Sequence, residues 1–202
     1  MSPNGDPELV REESFDDADL RGRRFERARF ERCSFLDAVL DDVVTVGSTF
    51  TDCDFTGCDL AGSRHESSAF VTCRFTRVNL RGATFEGCKL SGSVFSDTRL
   101  TWTVVRGGDW SYVSFGGASL AGVDLSGVRL ASANLVGCDL SRSVLREADL
   151  RGARLTDVVL READLRGARI DGLDPRIIDL RGARVDPMQA LQLVSALGVV
   201  VD

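Results

Sequence analysis

Six cysteines and a single histidine are the residues of this 202-residue chain with the clearest potential for metal or redox chemistry. Thiolates and imidazoles are typical zinc ligands, and suitably spaced thiols form disulfides. No C-x-x-C pair is present, however, and every cysteine stands two positions before a regularly spaced apolar residue. We therefore predict no metal site, no cofactor and thiols that pack as small hydrophobic groups. The cysteines are Cys33, Cys53, Cys58, Cys73, Cys88 and Cys138.

His65 has no residue nearby in the sequence that would complete a catalytic pair, so a hydrogen-bonded position in the core is the favoured interpretation. The chain also lacks a phosphate-binding loop and a nucleophile motif. An enzyme with a small-molecule substrate is therefore not expected.

Aspartates form the second group of residues with potential chemistry, because many of them recur at one fixed interval along the chain. Two interpretations are open for such a row of carboxylates: a solvated edge that keeps the protein soluble, or a surface that imitates DNA, which carries one negative charge per about 1.7 Å of axis. The predicted acidic edge consists of Asp17, Asp19, Asp37, Asp41, Asp42, Asp59, Asp97, Asp139 and Asp157.

The net charge of −6 disfavours a nucleic-acid ligand and permits a basic protein partner. The excess of acids is concentrated early: residues 1–42 hold 12 acids and 7 bases, whereas residues 141–202 hold 10 of each. No run approaches the roughly 20 apolar residues of a membrane helix, and Met1 to Val10 lack an apolar signal core. A cytoplasmic protein without a membrane segment is expected.

An apolar residue at every fifth position is the feature that must place all of these side chains. Of the 32 positions divisible by five from 15 to 170, 28 are Phe, Leu or Ile. A period of five fits neither a helix nor a strand, and so short a unit cannot bury its own apolar residue. The unit must stack on copies of itself, which predicts an all-β solenoid.

The number of units in each coil follows from how phenylalanine and leucine are distributed. At intervals of 20 residues, one column is phenylalanine from Phe15 to Phe115, and the next is leucine from Leu20 to Leu180. Stacking of like on like therefore predicts four pentapeptides per coil, a four-sided β-helix over residues 15–185 and about 8.5 coils spaced by about 4.8 Å. The exceptions Thr45, His65 and Val105 share the column that begins at Phe25.

Both ends of the chain depart from the repeat. Residues 1–14 are expected to be disordered or loosely attached. Residues 186–202 are predicted to form a helix, with Asp186 as N-cap and Gly198 as C-terminal cap, followed by a short strand from Val199 to Val201. The predicted dimerisation residues are Met188, Leu191, Leu193, Val194, Leu197, Val199 and Val201.

The apolar surface of this terminal segment favours a homodimer over a monomeric cap, because a cap that faces solvent needs a polar outer surface.

Between Thr101 and Gly117 the repeat is least regular. Local repacking explains this segment, and an aromatic contact patch made by Trp102 and Tyr112 is the alternative.

Repeats such as Cys53-Asp54-Phe55-Thr56-Gly57 resemble the pentapeptide-repeat family over most of the chain. The unbroken register and the ending Ala183-Arg184-Val185-Asp186 before an apolar helix are similar to the branch that modulates DNA gyrase, including the mycobacterial fluoroquinolone-resistance proteins.

The resemblance implies a right-handed quadrilateral β-helix with a C-terminal helical dimerisation module. It also implies a DNA mimic that binds DNA gyrase and confers resistance to quinolones or natural gyrase poisons, or inhibits supercoiling. The alternative is a structural or scaffolding repeat protein with another protein partner.

Overall fold

The computed structural model describes residues 9–98, 100 and 102–200. Within these residues there are eleven strands of three residues each and one C-terminal helix. The strands are β1 Leu9–Arg11, β2 Arg24–Glu26, β3 Arg29–Glu31, β4 Val44–Val46, β5 Thr49–Thr51, β6 Arg64–Glu66, β7 Ala69–Val71, β8 Arg74–Thr76, β9 Thr84–Glu86, β10 Val94–Ser96 and β11 Val104–Arg106, and the helix is α1 Pro187–Ala196.

Parallel pairing at one constant interval builds the whole coil, as Val10↔Phe30 and Phe30↔Phe50 illustrate. The strands form sheets in the orders β1-β3-β5-β7, β2-β4-β6-β9-β11 and β8-β10. Isolated parallel bridges at the same interval continue the pairing as far as Asp164↔Arg184. Each coil therefore contains four pentapeptides, which confirms the predicted four-sided β-solenoid.

Stacked rings fill the interior along the columns that the sequence predicted. From Phe15 to Phe115, the phenylalanines of successive coils stack with ring centroids 4.6–5.1 Å apart. A second stack runs through Phe30, Phe50 and Phe70 at 4.8–4.9 Å. These separations match the rise of β-paired coils, so each ring packs against its counterpart on the next turn.

Many of the serine, threonine and cysteine side chains two positions before a central residue also form a specific bond. The hydroxyl or thiol donates to the carbonyl 23 residues earlier, as Ser48 Oγ does to Phe25 O at 3.0 Å and Thr98 Oγ1 to Phe75 O at 2.8 Å. All six cysteines are buried and unpaired, and each occupies this position with its thiol directed at the equivalent carbonyl. Burial raises the pKa of Cys58 to about 12, so that thiol stays protonated at neutral pH.

The irregular column places a polar cluster inside the solenoid. Thr45 and His65 occupy aligned central positions on β4 and β6, and both are buried. Thr45 donates to Ser68 Oγ at 2.9 Å, so its oxygen accepts from His65 Nδ1 at 2.9 Å, while Nε2 accepts from Ser63 Oγ at 3.0 Å. The ring also stacks on Phe85 at 4.7 Å. Every polar atom of the imidazole is bonded, which agrees with the predicted structural role.

Burial lowers the pKa of His65 from 6.5 to about 3, which makes stability depend on pH. Below the unfolded value the unfolded state binds a proton that the native state does not bind, so stability falls as pH falls from 6.5 towards about 3. This single group accounts for up to about 5 kcal/mol over that window. We expect His65→Gln to remove this contribution to the pH dependence of stability. Urea unfolding at neutral pH and near pH 5 measures the free energy of unfolding of both proteins. Parallel pH profiles of both proteins would contradict the assignment.

Pairing begins earlier than the sequence indicated. β1 pairs with β3 through Val10↔Phe30, and Ser14 bridges to Ser34, so residues 9–14 belong to the solenoid rather than to a loose N-terminus. Val10 packs partly buried against the core, which the lack of a central Phe or Leu at position 10 concealed. Residues 1–8 lie outside the described part of the chain.

The helix α1 is capped by Asp186 as predicted. The Asp186 carboxylate accepts from Gln189 N at 2.9 Å, while the Gln189 side chain accepts from Asp186 N at 2.9 Å. This reciprocal capping box fixes the first turn. Gln189 is buried, and its amide also donates to the carbonyls of Leu165 and Ala168. The predicted terminal strand is wrong for the described residues, because Val199 and Val200 are exposed and form no β-bridge. Val201 lies outside the described part of the chain.

Candidate partner-binding surface

The predicted acidic edge is a complete side of the solenoid rather than a single corner. β-turns closed by Ala18 N to Phe15 O at 3.1 Å and Arg23 N to Leu20 O at 3.0 Å define two adjacent corners. We call the side between them, residues 16–22 and their counterparts on each later coil, the acidic face. All nine predicted aspartates lie on it.

Five of the nine aspartates project into solvent from corner positions with positive φ between 52° and 57°. Aspartate tolerates this left-handed conformation better than most residues, which explains its recurrence there. Glycine follows on the next turn at three of these corners, and at two of them a Cβ on Gly57 or Gly62 would collide with the carboxylate of Asp37 or Asp42. The exposed corner aspartates are Asp17, Asp37, Asp42, Asp97 and Asp157.

The other four aspartates are engaged within the fold. Asp19 and Asp59 accept from backbone N–H groups two residues on, at 3.2 and 3.0 Å. Asp139 accepts from Ser141 N at 2.9 Å, and the Ser141 hydroxyl is the main cause that lowers the pKa of Asp139. Asp41 binds Arg21 Nε at 2.8 Å. The structure therefore separates carboxylates that hold turns from carboxylates that are available to a partner.

Negative charge on the acidic face is concentrated in its first three turns. Residues 16–22, 36–42 and 56–62 carry seven aspartates and one base, Arg21. One of the seven, the exposed Asp16, was not among the predicted residues, and the Ser34 hydroxyl lowers its pKa. The fourth turn reverses the sign, with exposed Arg77 and Arg81.

The C-terminal turns neutralise their carboxylates internally. In four Asp-x-Arg units the guanidinium binds both carboxylate oxygens, as Arg151 does to Asp149 at 2.9 and 2.8 Å. The bonds from Arg151 and Arg176 lower the pKa of Asp149 and Asp174 to about 2. In the last third of the chain, where acids and bases are equal in number, this pairing also neutralises carboxylates locally. The units are Asp149–Arg151, Asp164–Arg166, Asp174–Arg176 and Asp179–Arg181.

The predicted dimerisation residues divide into two groups on the terminal segment. Leu193 packs partly buried against the solenoid core and Val194 is half-buried. Met188, Leu191, Leu197 and Val199 are exposed. Beside the helix lies a groove of about 530 Å³, lined in part by Leu173, Leu191 and Leu193.

Trp102 and Tyr112 do not form a shared contact patch. Each is the third residue of a β-turn, closed by Thr103 N to Leu100 O at 3.2 Å and by Val113 N to Trp110 O at 3.3 Å. The two turns are two corners apart on a four-cornered coil, so the aromatic side chains leave from diagonally opposite corners. Both are exposed, Trp102 by 78% and Tyr112 by 69%.

Within the described residues, no group of three or more His, Cys, Asp or Glu side chains is arranged to hold a metal ion. The same part of the chain has no helix that is long and apolar enough to cross a membrane.

A four-sided solenoid built from five-residue units defines the class of repeat protein to which this chain corresponds. The pattern of the pentapeptide repeat region matches residues 48–125, and that of pentapeptide repeats (8 copies) matches residues 111–146 and 143–174. Together these matches span more than half of the chain. The chain belongs to the pentapeptide-repeat family.

One relative is the pentapeptide repeat protein MfpA of Mycobacterium tuberculosis, 43% identical over 110 residues. The match spans 54% of this chain and 49% of MfpA, about half the length of that relative. Among solved structures, a trypsin-treated variant of QnrB1, a plasmid-mediated fluoroquinolone resistance protein, superimposes with a TM-score of 0.88 at 23% identity and covers 97% of this chain and 98% of its own. Full-length QnrB1 gives 0.60 at 21% identity, with coverages of 95% and 97%. These superpositions show the shared fold.

Proposed function

We propose that this protein binds DNA gyrase, a type II topoisomerase, in the place of duplex DNA. The consequence is protection of gyrase from quinolones or natural gyrase poisons, or inhibition of supercoiling. The relationship to MfpA and the fold shared with QnrB1, a fluoroquinolone resistance protein, direct the proposal to this enzyme.

The charge density of the acidic face is the observation that carries the proposal. Seven carboxylates and Arg21 over three turns, each rising about 4.8 Å, give one net negative charge per about 2.4 Å of axis. Duplex DNA carries one negative charge per about 1.7 Å of axis. A groove lined by arginine and lysine would therefore meet a comparable electrostatic field along this part of the rod. Asp17, Asp37 and Asp42 make no ion pair with any described residue and remain available to such a groove.

A supercoiling assay with purified gyrase tests the proposal, with and without a quinolone. We expect the protein at micromolar concentration to reduce supercoiling, or to reduce quinolone-stabilised DNA cleavage. The effect should weaken as the salt concentration is raised, because screening shortens the range of electrostatic attraction. The absence of an effect in both arms at low salt would exclude gyrase as the partner.

We also propose that α1 and the residues after it join two copies of the chain. Exposed apolar side chains cover the outer side of this segment, while Gln189 and Leu193 hold its inner side to the last coil. An apolar surface of this kind at the open end of a solenoid is covered when two copies meet. The dimer would carry its two acidic regions at opposite ends, far from the junction.

The Asp–Arg pairing of the C-terminal turns favours one alternative, a scaffolding protein whose partner contact is not electrostatic. Bidentate pairs leave little net field on that part of the surface. Such a protein would bind its partner equally well at low and high salt and would leave gyrase unaffected.

A further inference from the structure

Trp102 is one of two exposed aromatic residues that occupy left-handed corner positions of the coil. Its side chain is 78% exposed, and its backbone is left-handed with φ of 66°. Bulky side chains disfavour this conformation, and it persists only where the surroundings impose it. The neighbours of Trp102 at the same corner, Gly82 and Gly122, adopt positive φ and lack a side chain. The indole therefore stands alone at its corner with open space on both adjacent turns.

Arginine lies beside this tryptophan on the acidic face. Arg77 and Arg81 belong to the preceding turn, about 4.8 Å away along the axis. Both side chains are exposed, and neither makes an ion pair with a described residue. The acidic face thus changes character along its length. Its first three turns carry mostly carboxylates, its fourth turn carries two arginines, and its fifth turn carries both Asp97 and the exposed indole.

We propose that Trp102, Arg77 and Arg81 form a second contact with the same partner protein, on an anionic surface adjacent to the basic groove that receives the carboxylates. The inference rests on the proposed function and extends it. Arginine and tryptophan are the side chains most enriched among residues that dominate binding energy. The reversal of charge would set the position of the rod along its partner, because a shift by a few turns would place like charges opposite each other.

A protein surface fits this contact better than a nucleic acid does. Asp59 accepts from Asn79 Nδ2 at 2.9 Å, which places a carboxylate one turn from Arg77, and Asp97 follows Arg77 at the same corner. Discrete carboxylates of a protein can lie opposite Arg77 and Arg81 without facing these two aspartates, whereas a phosphate backbone is charged along its whole length and would run past them.

The test compares Trp102→Asn with Tyr112→Asn, a matched control at the diagonally opposite corner with a similar φ of 60°. Asparagine tolerates the left-handed conformation, so both variants should fold. We expect Trp102→Asn to weaken gyrase binding about 30-fold, at low and at high salt alike, because the indole contact is apolar. Its melting temperature should be unchanged or higher, since strain is relieved. Tyr112→Asn should bind as the wild type does.

Arg77→Asn combined with Arg81→Gln should weaken binding at low salt and less at high salt, as expected for an electrostatic contact. Wild-type affinity in Trp102→Asn would overturn the inference while leaving the proposed function intact. A wild-type protein that does not bind gyrase overturns both. Binding of a fluorescein-labelled single-stranded oligonucleotide that is lost in Trp102→Asn would overturn the protein contact in favour of a nucleic-acid site.

Discussion

Replacing Asp17, Asp37 and Asp42 together by asparagine is expected to weaken gyrase binding about 100-fold at low ionic strength. Each exposed carboxylate opposite a cation contributes about 1 kcal/mol in a water-like dielectric, and about 1.4 kcal/mol corresponds to a tenfold change in affinity. Asparagine keeps the size of the side chain and tolerates the positive φ of these corners, so the change removes charge with little effect on the backbone. Affinity measured over a range of salt concentrations should also show a shallower salt dependence for the variant.

A matched control carries the same change in net charge on another part of the surface. Glu66, Glu86 and Glu147 are exposed and lie away from the acidic face, and their replacement by glutamine also removes three negative charges. This control should bind gyrase nearly as the wild type does. Equal loss in both triple variants would mean that net charge alone matters, and no loss in the aspartate variant would exclude the acidic face as the contact surface.

Leu191→Glu combined with Leu197→Glu is expected to convert a dimer fully into monomers at micromolar concentration. Both leucines are exposed in the single chain, so the variant should fold. In a dimer that buries this segment, two carboxylates per chain would lose their hydration without a partner, and burying an unpaired charge costs several kcal/mol. Sedimentation equilibrium measures the mass directly.

Val94 offers a matched control for the dimer, because it is an exposed apolar residue on the coil, away from α1. Val94→Glu should leave the mass unchanged. If Leu191→Glu with Leu197→Glu also leaves a dimeric mass, the two copies meet elsewhere; if the wild type is already monomeric, the terminal segment is a simple cap.

The sequence predicted the fold in detail because each pentapeptide solves the same local packing problem. Phe35 has the same surroundings as Phe15 and Phe55, so identical chemistry recurs once per coil and reveals the number of sides. The early start of pairing at Leu9 was hidden because Val10 departs from the Phe or Leu pattern while still packing against the core.

The acidic surface was predicted less well, for a physical reason that Asp19 and Asp139 illustrate. Whether a carboxylate is available depends on donors two residues ahead and on the neighbouring turn, and not on its column alone. The spacing of Asp139 and Ser141 is a signal that such a turn-stabilising bond forms. Asp16, Arg77 and Arg81 carried no comparable signal, because their importance arises from what lies beside them on adjacent turns.

The sequence by itself determined the four-sided coil, the buried thiols, the position of His65 and the start of the terminal helix. These depend on periodicity and on local capping, which a one-dimensional pattern records. Only the tertiary structure decided which aspartates are exposed, that the buried Gln189 fastens α1 to the coil together with Leu193, and that Trp102 and Tyr112 point away from each other. These features depend on side chains brought together from successive coils, where small differences between repeats determine which groups are left for a partner.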